Sequence, residues 1–492
     1  MTPLTRPPTA LNRSAEEDEL PDEEFVAAQP FDLLDVPVLG RLLKWRHSRT
    51  LLQIPVFAIS IVMIFEGLLG PSLSPKNMAT VLTWVHFRGA LVLVILLAGN
   101  LFCLACPFML ARNFMRRFVR PRFTWPRRLR NKWIPIALFV LVLFAYELFG
   151  LWSSPWLTAW MIVGYFAAVL VVDGLFTHAT FCKYVCPIGQ FNFVGSLISP
   201  TTVKIHSEST CNACETRDCI RGNTRQRGCE LELYLPEKRS NADCTLCMDC
   251  VKACPHDNIG IVARSLTQDV LVREPTSSLG RLSRRTDVAA VALVLVFAGF
   301  ANAAAMVAPG ADFLSAAGRR MPWLGTTAGS FAGVVAGMLL GAGAVWVASQ
   351  ADRSDGLRRE AFCRGALTLV PLGMGMWAAH LLFHLLMGLP GLLPLFQQSG
   401  QDFGLHWLGV PHWSAGGYLL QGNGLLQLQL LFLDGGLLLS LYLVWRTVAV
   451  TGVARRLLSA APLALLTVAL YGFGFWLLLE PMQMRGMMMG GM

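Results

Sequence analysis

Nine runs of apolar residues, each long enough to cross about 30 Å of hydrocarbon as a helix, constrain this chain more than any other feature. They fall near 51–70, 79–102, 133–153, 157–177, 287–308, 324–349, 365–388, 425–448 and 460–480. Of the 492 residues, 54% are hydrophobic and 15% charged, a balance that a water-soluble core cannot absorb. The expected fold is an all-α polytopic membrane protein of about nine transmembrane helices.

The net charge of +10 does not point to nucleic acid, because the arginines cluster beside the apolar runs, where they report topology. One side collects Arg41, Lys44, Arg46 and Arg49, the basic stretch 109–132, then Arg353, Arg358, Arg359 and Arg364, then Arg455 and Arg456. The other side holds little beyond Lys76, Arg319, Arg320 and Arg485. The positive-inside rule then puts the N-terminus in the cytoplasm, the C-terminus outside and the chain in the cell inner membrane. The first thirty residues are Pro-rich and acidic and read as a solvated leader, not a signal peptide. The expected organisation is a disordered or amphipathic segment at 1–48, a four-helix membrane block at 49–180 and a polar cytoplasmic domain at 181–286. A five-helix block at 287–480 and a Met-rich outer tail at 481–492 follow.

Twelve of the thirteen cysteines precede residue 255, and on the cytoplasmic side such density points to metal or redox chemistry, not disulfides. The run CTLCMDCVKACP places Cys244, Cys247, Cys250 and Cys254 before Pro255 in the C-x2-C-x2-C-x3-C-P spacing of bacterial ferredoxins. A structural zinc site is the competing reading, although zinc ligands usually come as two separated pairs. Upstream, Cys211, Cys214, Cys219 and Cys229 have stretched spacings and no proline after the last. The crossed ligation of a two-cluster ferredoxin would give Cys211, Cys214, Cys219 and Cys254 to one [4Fe–4S] cluster. Cys244, Cys247, Cys250 and Cys229 would hold the other. A three-iron or single-cluster domain is the alternative.

Two shorter fragments sit at helix ends on the same side. FCLACPFML carries Cys103 and Cys106, and FCKYVCPIGQ carries Cys182 and Cys186, each pair ending in Cys-Pro. With these motifs in this order, residues 80–260 resemble the polytopic membrane ferredoxins of periplasmic nitrate reduction and nitrous-oxide respiration (NapH and NosR type) and related cytochrome oxidase accessory proteins. The resemblance implies electron transfer between membrane quinol and iron–sulfur centres, with the C-x3-C-P cysteines required. This chain departs at its first pair, which is C-x2-C-P. Three readings stand for Cys103, Cys106, Cys182 and Cys186: a shared metal or cluster, a redox dithiol role, or plain packing. Packing is the expectation for the solitary Cys363.

Ionisable groups inside spans are costly and therefore informative. Glu66, His86, Arg88 and Glu147 fall at one level in the outer third of the bilayer and form a candidate quinone site, where a carboxylate and an imidazole accept quinol protons. The competing reading is a packing salt-bridge set. His380 and His384, one helical turn apart, could serve haem b together with His86, or copper or zinc together with His406 and His412, or simply make structural hydrogen bonds. Asp173 and Asp434 are proton-path or capping residues. Gly333, Gly337 and Gly341 mark a close helix approach. The methionines from Met482 to Met492 could bind Cu(I), or simply form a disordered apolar end.

The function expected is a membrane-bound iron–sulfur protein that shuttles electrons between the quinone pool and two [4Fe–4S] clusters and passes them to a partner redox protein. Any enzymatic activity is quinol redox chemistry, and the other contacts are lipid. The alternative is an assembly or maturation factor that delivers electrons or copper to a respiratory metalloenzyme. A redox sensor is a third reading.

Overall fold

The computed structural model describes residues 31–320, 335–336, 338–347, 358–413, 419–420, 422–448 and 452–482. The first part of the chain forms α1 (Pro37–Lys44), α2 (Ser48–Leu69), α3 (Met78–Ala98), α4 (Pro107–Met115), α5 (Trp133–Leu148), α6 (Pro155–Leu175) and α7 (Pro187–Gly195). A cysteine-rich segment follows with β1 (Thr201–Ile205), α8 (Asp249–Ala253) and β2 (Ile259–Ala263). The rest is α9 (Thr286–Ala304), α10 (the run Arg358–Asp402), α11 (Asn423–Thr447) and α12 (Val453–Leu479).

Among the described residues, seven helices are long and apolar enough to span a membrane: α2, α3, α6, α9, α10, α11 and α12. The expectation of nine is corrected at two places. The run 133–153 is helical only over the 16 residues of α5, about 24 Å long and short of a full crossing. It stops because Gly150 takes a left-handed conformation (φ 53°), after which Leu151–Ser153 winds as a separate tight turn. Of the run 324–349, the helix Met338–Val347 is described. Gly333 and Gly337 lie outside the described residues, whereas at Gly341 an added Cβ would meet the Phe297 ring.

The main core lies where α3, α7, α9, α10 and α11 meet, around Ile95, Leu197, Leu295, Trp377 and Leu433. Trp377 Nε1 donates to the Leu295 carbonyl at 2.8 Å and locks α10 to α9. Between α10 and α11 glycines bring the backbones together: a Cβ at Gly375 would lie 2.5 Å from the Phe432 carbonyl oxygen, and one at Gly436 2.7 Å from that of Pro371. Small residues at such crossings are the usual means of close helix approach in lipid.

β1 and β2 pair antiparallel, Thr201 opposite Ala263 through Ile205 opposite Ile259. Their core of Val203, Leu246, Met248, Val251 and Ile261 also takes in Leu34 and Leu43 from the chain's beginning and Leu104 from the approach to α4. Asp32 ties this strap down, accepting from the backbone N–H of Leu34 at 2.8 Å and of Ile261 at 2.9 Å. Of the segment 1–48, expected to be disordered or amphipathic, residues 31–48 lay apolar side chains, Leu34 and Leu43 among them, on the sheet; residues 1–30 lie outside the described residues. α7, placed by sequence in the polar segment, packs into the helical core through Phe191 and Val194.

The glycine pair in α11 offers an internal control. Gly435 faces open space, so Gly435→Ala is expected to leave thermal stability in detergent unchanged or raised. Gly436→Ala is expected to cost about 1–3 kcal/mol through overpacking, and equal behaviour of the two variants would refute this contact.

Candidate metal centre

Cys211, Cys214, Cys219 and Cys254 line one cavity at the edge of the sheet, together with Tyr234 and Asn258. Asn258 donates twice, from Nδ2 to Cys211 Sγ at 3.3 Å and from its backbone N–H to Cys254 Sγ at 3.5 Å. Cys254 closes α8, where Pro255 cannot continue the helix, so the last thiol of the run turns away from the other three. Burial pushes the Cys219 thiol up to about 11, and the neighbouring Cys254, Cys211 and Cys214 add like-charge repulsion. Such a group reaches the thiolate form at neutral pH when a cation compensates it.

Cys229, Cys244, Cys247 and Cys250 form the second group. Burial raises the Cys250 thiol first, followed by the charges of Cys247, Cys229 and Cys244. The loop that carries them holds three non-glycine residues at positive φ: Asp243 (61°), Leu246 (46°) and Met248 (61°). Each costs on the order of 1 kcal/mol, and together they wrap the chain tightly around its thiols. Cys229 N–H donates to the Cys219 carbonyl at 2.9 Å, which joins the second group to the first.

Cys103, Cys106, Cys182 and Cys186 line a single cavity of about 40 Å³ whose wall includes Arg49, Glu230 and Cys247. Cys106 precedes α4 and Cys186 precedes α7, each followed by proline in the first helical position. All thirteen cysteines are free thiols. Among the described residues, no three His, Cys, Asp or Glu side chains converge as ligands of a single metal ion. A cubane takes its thiolates at separate corners, whereas a zinc site draws them to one point.

Arg112 anchors this region. Its side chain is fully buried, with Nε 2.9 Å from Asp173 Oδ2, Nη1 2.7 Å from Glu230 Oε2 and Nη2 donating to Glu230 Oε1 at 2.8 Å. Asp173 Oδ1 accepts from the Phe181 N–H at 2.8 Å, one residue before Cys182, so its role is capping and pairing. Burial alone would raise the Glu230 carboxyl, but Arg112 and then Arg227 hold it well below the usual carboxylate range. Lys132, also buried, donates to Asp243 Oδ1 at 2.6 Å and to the Lys183 carbonyl at 2.8 Å.

An apolar pocket of about 150 Å³ lies among the helices, lined by Trp84, Phe87, Tyr146 and Trp377. Tyr165 and Ile188 belong both to its wall and to that of the Cys103/Cys106/Cys182/Cys186 cavity. Arg88 reaches into it, donating to Asn302 Oδ1 at 2.6 Å, with its guanidinium 5.5 Å from the Tyr146 ring centre and 5.8 Å from that of Trp377. The wall residues Thr83, Trp84 and Phe87 come from Val81–Phe87, which is wound as a π-helix, a local widening frequent at functional sites.

Of the four residues expected to share a quinone site, Arg88 alone lines this pocket. Glu66 is buried at the turn from α2 to α3, accepting from the Met78 N–H at 3.1 Å. His86 is buried off the pocket wall, and Glu147 is half-buried beyond the Tyr146 contact. His380 and His384 are buried with rings perpendicular and centres 4.9 Å apart, while His406 and His412 stand exposed on a loop, so the four do not gather round one ion. Asp434 is exposed on α11 and accepts from the Tyr471 hydroxyl at 2.8 Å. Cys363 is enclosed in the apolar core. Met482 is described, and the remaining tail methionines lie outside the described residues.

Seven membrane-length helices, with twelve cysteines gathered on the segments between them, define a multi-pass membrane protein with a candidate metal-binding end. The chain matches no family model and no solved structure. Among curated proteins it is 27% identical over 207 residues to the uncharacterized protein MJ0749 of Methanocaldococcus jannaschii, covering 40% of this chain and 76% of that one. It is 26% identical over 247 residues to the regulatory protein NosR of Pseudomonas aeruginosa, covering 42% of this chain and 33% of NosR. It is 30% identical over 89 residues to the putative electron transport protein YccM of Escherichia coli, covering 18% of this chain and 22% of YccM. The chain therefore spans a third or less of the two relatives whose names state a role.

The buried arginine sets the first test of this region. Arg112→Met is expected to cost about 3–5 kcal/mol, because Asp173 and Glu230 are left buried without their counter-charge. Adding Glu230→Gln to it is expected to restore part of the loss. Because the folded Glu230 carboxyl lies below its ordinary value of 4.5, the stabilisation is present above that pH and is lost as the pH falls below it. Thermal unfolding in detergent reads each effect, and a cost below about 1 kcal/mol would contradict the assignment.

Proposed function

We propose that this chain is a membrane-bound electron-transfer protein that exchanges electrons between a quinone in the apolar pocket and a partner redox protein at the cysteine-rich end. The observation that carries the reading is the contiguity of the sites. The Cys229 backbone N–H donates to the Cys219 carbonyl of the first group, Cys247 of the second group lies on the wall of the third cavity, and that cavity shares Tyr165 and Ile188 with the pocket. The name of YccM, a putative electron transport protein, supports a redox role, whereas that of NosR states a regulatory one.

In this reading Cys211, Cys214, Cys219 and Cys254 hold one [4Fe–4S] cluster, and Cys229, Cys244, Cys247 and Cys250 the other, within a two-cluster ferredoxin-like segment. A bound cluster supplies one-electron exchange without movement of the protein. Asn258 orients two of the thiols and places N–H donors on their sulfurs, which favours the more negative, reduced state. The aromatic pocket binds the quinone ring, and Arg88, the pocket's cation, polarises a quinone oxygen. In this reading the cysteine-rich end faces the cytoplasm, on the side that carries the basic residues Arg41, Arg46, Arg127, Arg128 and Arg130.

The test is anaerobic reduction of the protein followed by rapid mixing with a water-soluble quinone analogue. In the parent the reduced iron–sulfur signal is expected to disappear quickly. It is expected to do so at least about tenfold more slowly in Leu143→Trp, which fills the pocket, and in Arg88→Gln. Glu66→Gln, away from the pocket, is expected to behave as the parent. Equal rates in all four proteins would refute the quinone pocket.

A further inference from the structure

We infer that Cys103, Cys106, Cys182 and Cys186 hold a third iron–sulfur cluster, seated where the cysteine-rich segment meets the membrane helices. The inference deepens the electron-transfer reading and rests on it for the cluster's role, though not for its binding.

The four thiols come from two distant stretches of chain and line one cavity. Both halves are built the same way. Cys106 and Cys186 each stand at the N-cap of a nine-residue helix with proline next, so two helix N-termini, with their free amides, point toward the same space. At the second half the Gly189 N–H donates to Cys186 Sγ at 3.2 Å. At the first, Cys103 Sγ accepts from Asn192 Nδ2 at 3.5 Å, a donor supplied by α7. Positive helix ends and N–H donors on sulfur are what thiolates bound to a metal cluster require.

Arg49 is the independent observation. Its side chain is 8% exposed and lines the cavity. Nη1 donates to Asp249 Oδ2 at 2.7 Å, but Nε is buried with no hydrogen-bond partner among the described residues. A buried guanidinium N–H left unpaired is costly, and an anionic cluster with its thiolates supplies the missing acceptor. Phe102, Phe108, Phe181 and Phe193 add apolar surface to the cavity wall.

The competing occupants fit less well. A single ion needs three or four ligands converging on one point, and no such convergence occurs among the described residues. A disulfide pair would leave the Arg49 Nε N–H without a strong acceptor and both helix N-termini facing neutral sulfur. The cavity's position also suits a cluster: Cys247 of the second group is on one wall and the pocket residues Tyr165 and Ile188 are on another.

Iron and sulfide are counted in the full-length chain purified anaerobically, beside Cys103→Ser/Cys186→Ser and Arg49→Gln. The expected parent value is about twelve irons per chain, four for each of three clusters, falling to about eight in the double variant. A parent value of about eight that the double variant leaves unchanged would overturn the third cluster and spare the two-cluster reading. A parent value of about four, lost in the double variant, would keep the third cluster and overturn the other two. The parent count does not depend on the folding of any variant. Arg49→Gln supplies a second readout: removing the cation is expected to lower the midpoint potential of one iron–sulfur signal, and identical potentials would count against the site. Disulfides joining these four cysteines in two pairs, found by mass spectrometry of the anaerobic parent, would also overturn it.

Discussion

The Arg112 guanidinium is the interaction on which the cysteine-rich end depends. It is fully buried on the helix that follows Cys106, it pairs with Asp173 on the helix that leads to Cys182, and it grips both oxygens of Glu230 beside Cys229. One planar cation therefore fixes the mutual positions of two helix ends and of the segment between β1 and β2. Lysine could not do this, because a bidentate hold on one carboxylate together with a side-on contact to another needs the guanidinium fork. Lys132 repeats the device on the other flank, joining α5 to Asp243 and to the Lys183 carbonyl. Buried pairs like these contribute little net stability but strongly penalise any arrangement that separates them, which suits a region that must hold many thiols in register.

Much of the architecture was legible in the sequence because hydropathy is a local property. Seven of the expected runs became membrane-length helices. α5 fell short for a reason hydropathy does not encode: Gly150 adopts a left-handed conformation inside an apolar run. The cysteine spacings were equally readable, and the structure gathers Cys211, Cys214, Cys219 and Cys254 about one cavity and the two Cys-Pro pairs about another. What could not be read was the division of labour among the arginines. Arg49 and Arg112 sit in basic clusters that look like topology signals, and their burial is visible only once the helices are packed.

The membrane residues show the same limit from the other side. Depth along a helix put Glu66, His86, Arg88 and Glu147 at one level, but depth says nothing about which way a side chain points around the axis. Arg88 turns inward to Asn302 and the aromatic pocket, whereas Glu66 turns to the Met78 amide. The π-helical winding of Val81–Phe87 contributes to this, since an extra residue per turn rotates the following side chains relative to a regular helix. Trp84, Phe87, Tyr146 and Trp377 carry no charge that would single them out in a hydrophobic sequence, and only their convergence marks them.

The proposed order of centres, from the cysteine-rich segment through the cavity beside Arg49 to the aromatic pocket, requires the iron–sulfur sites to be neighbours. The most direct measurement is the low-temperature EPR spectrum of the fully reduced full-length protein. Magnetic coupling between adjacent paramagnetic clusters, seen as broadened and split lines, is the expected result. No iron–sulfur signal, or a simple sum of isolated ones, would contradict it.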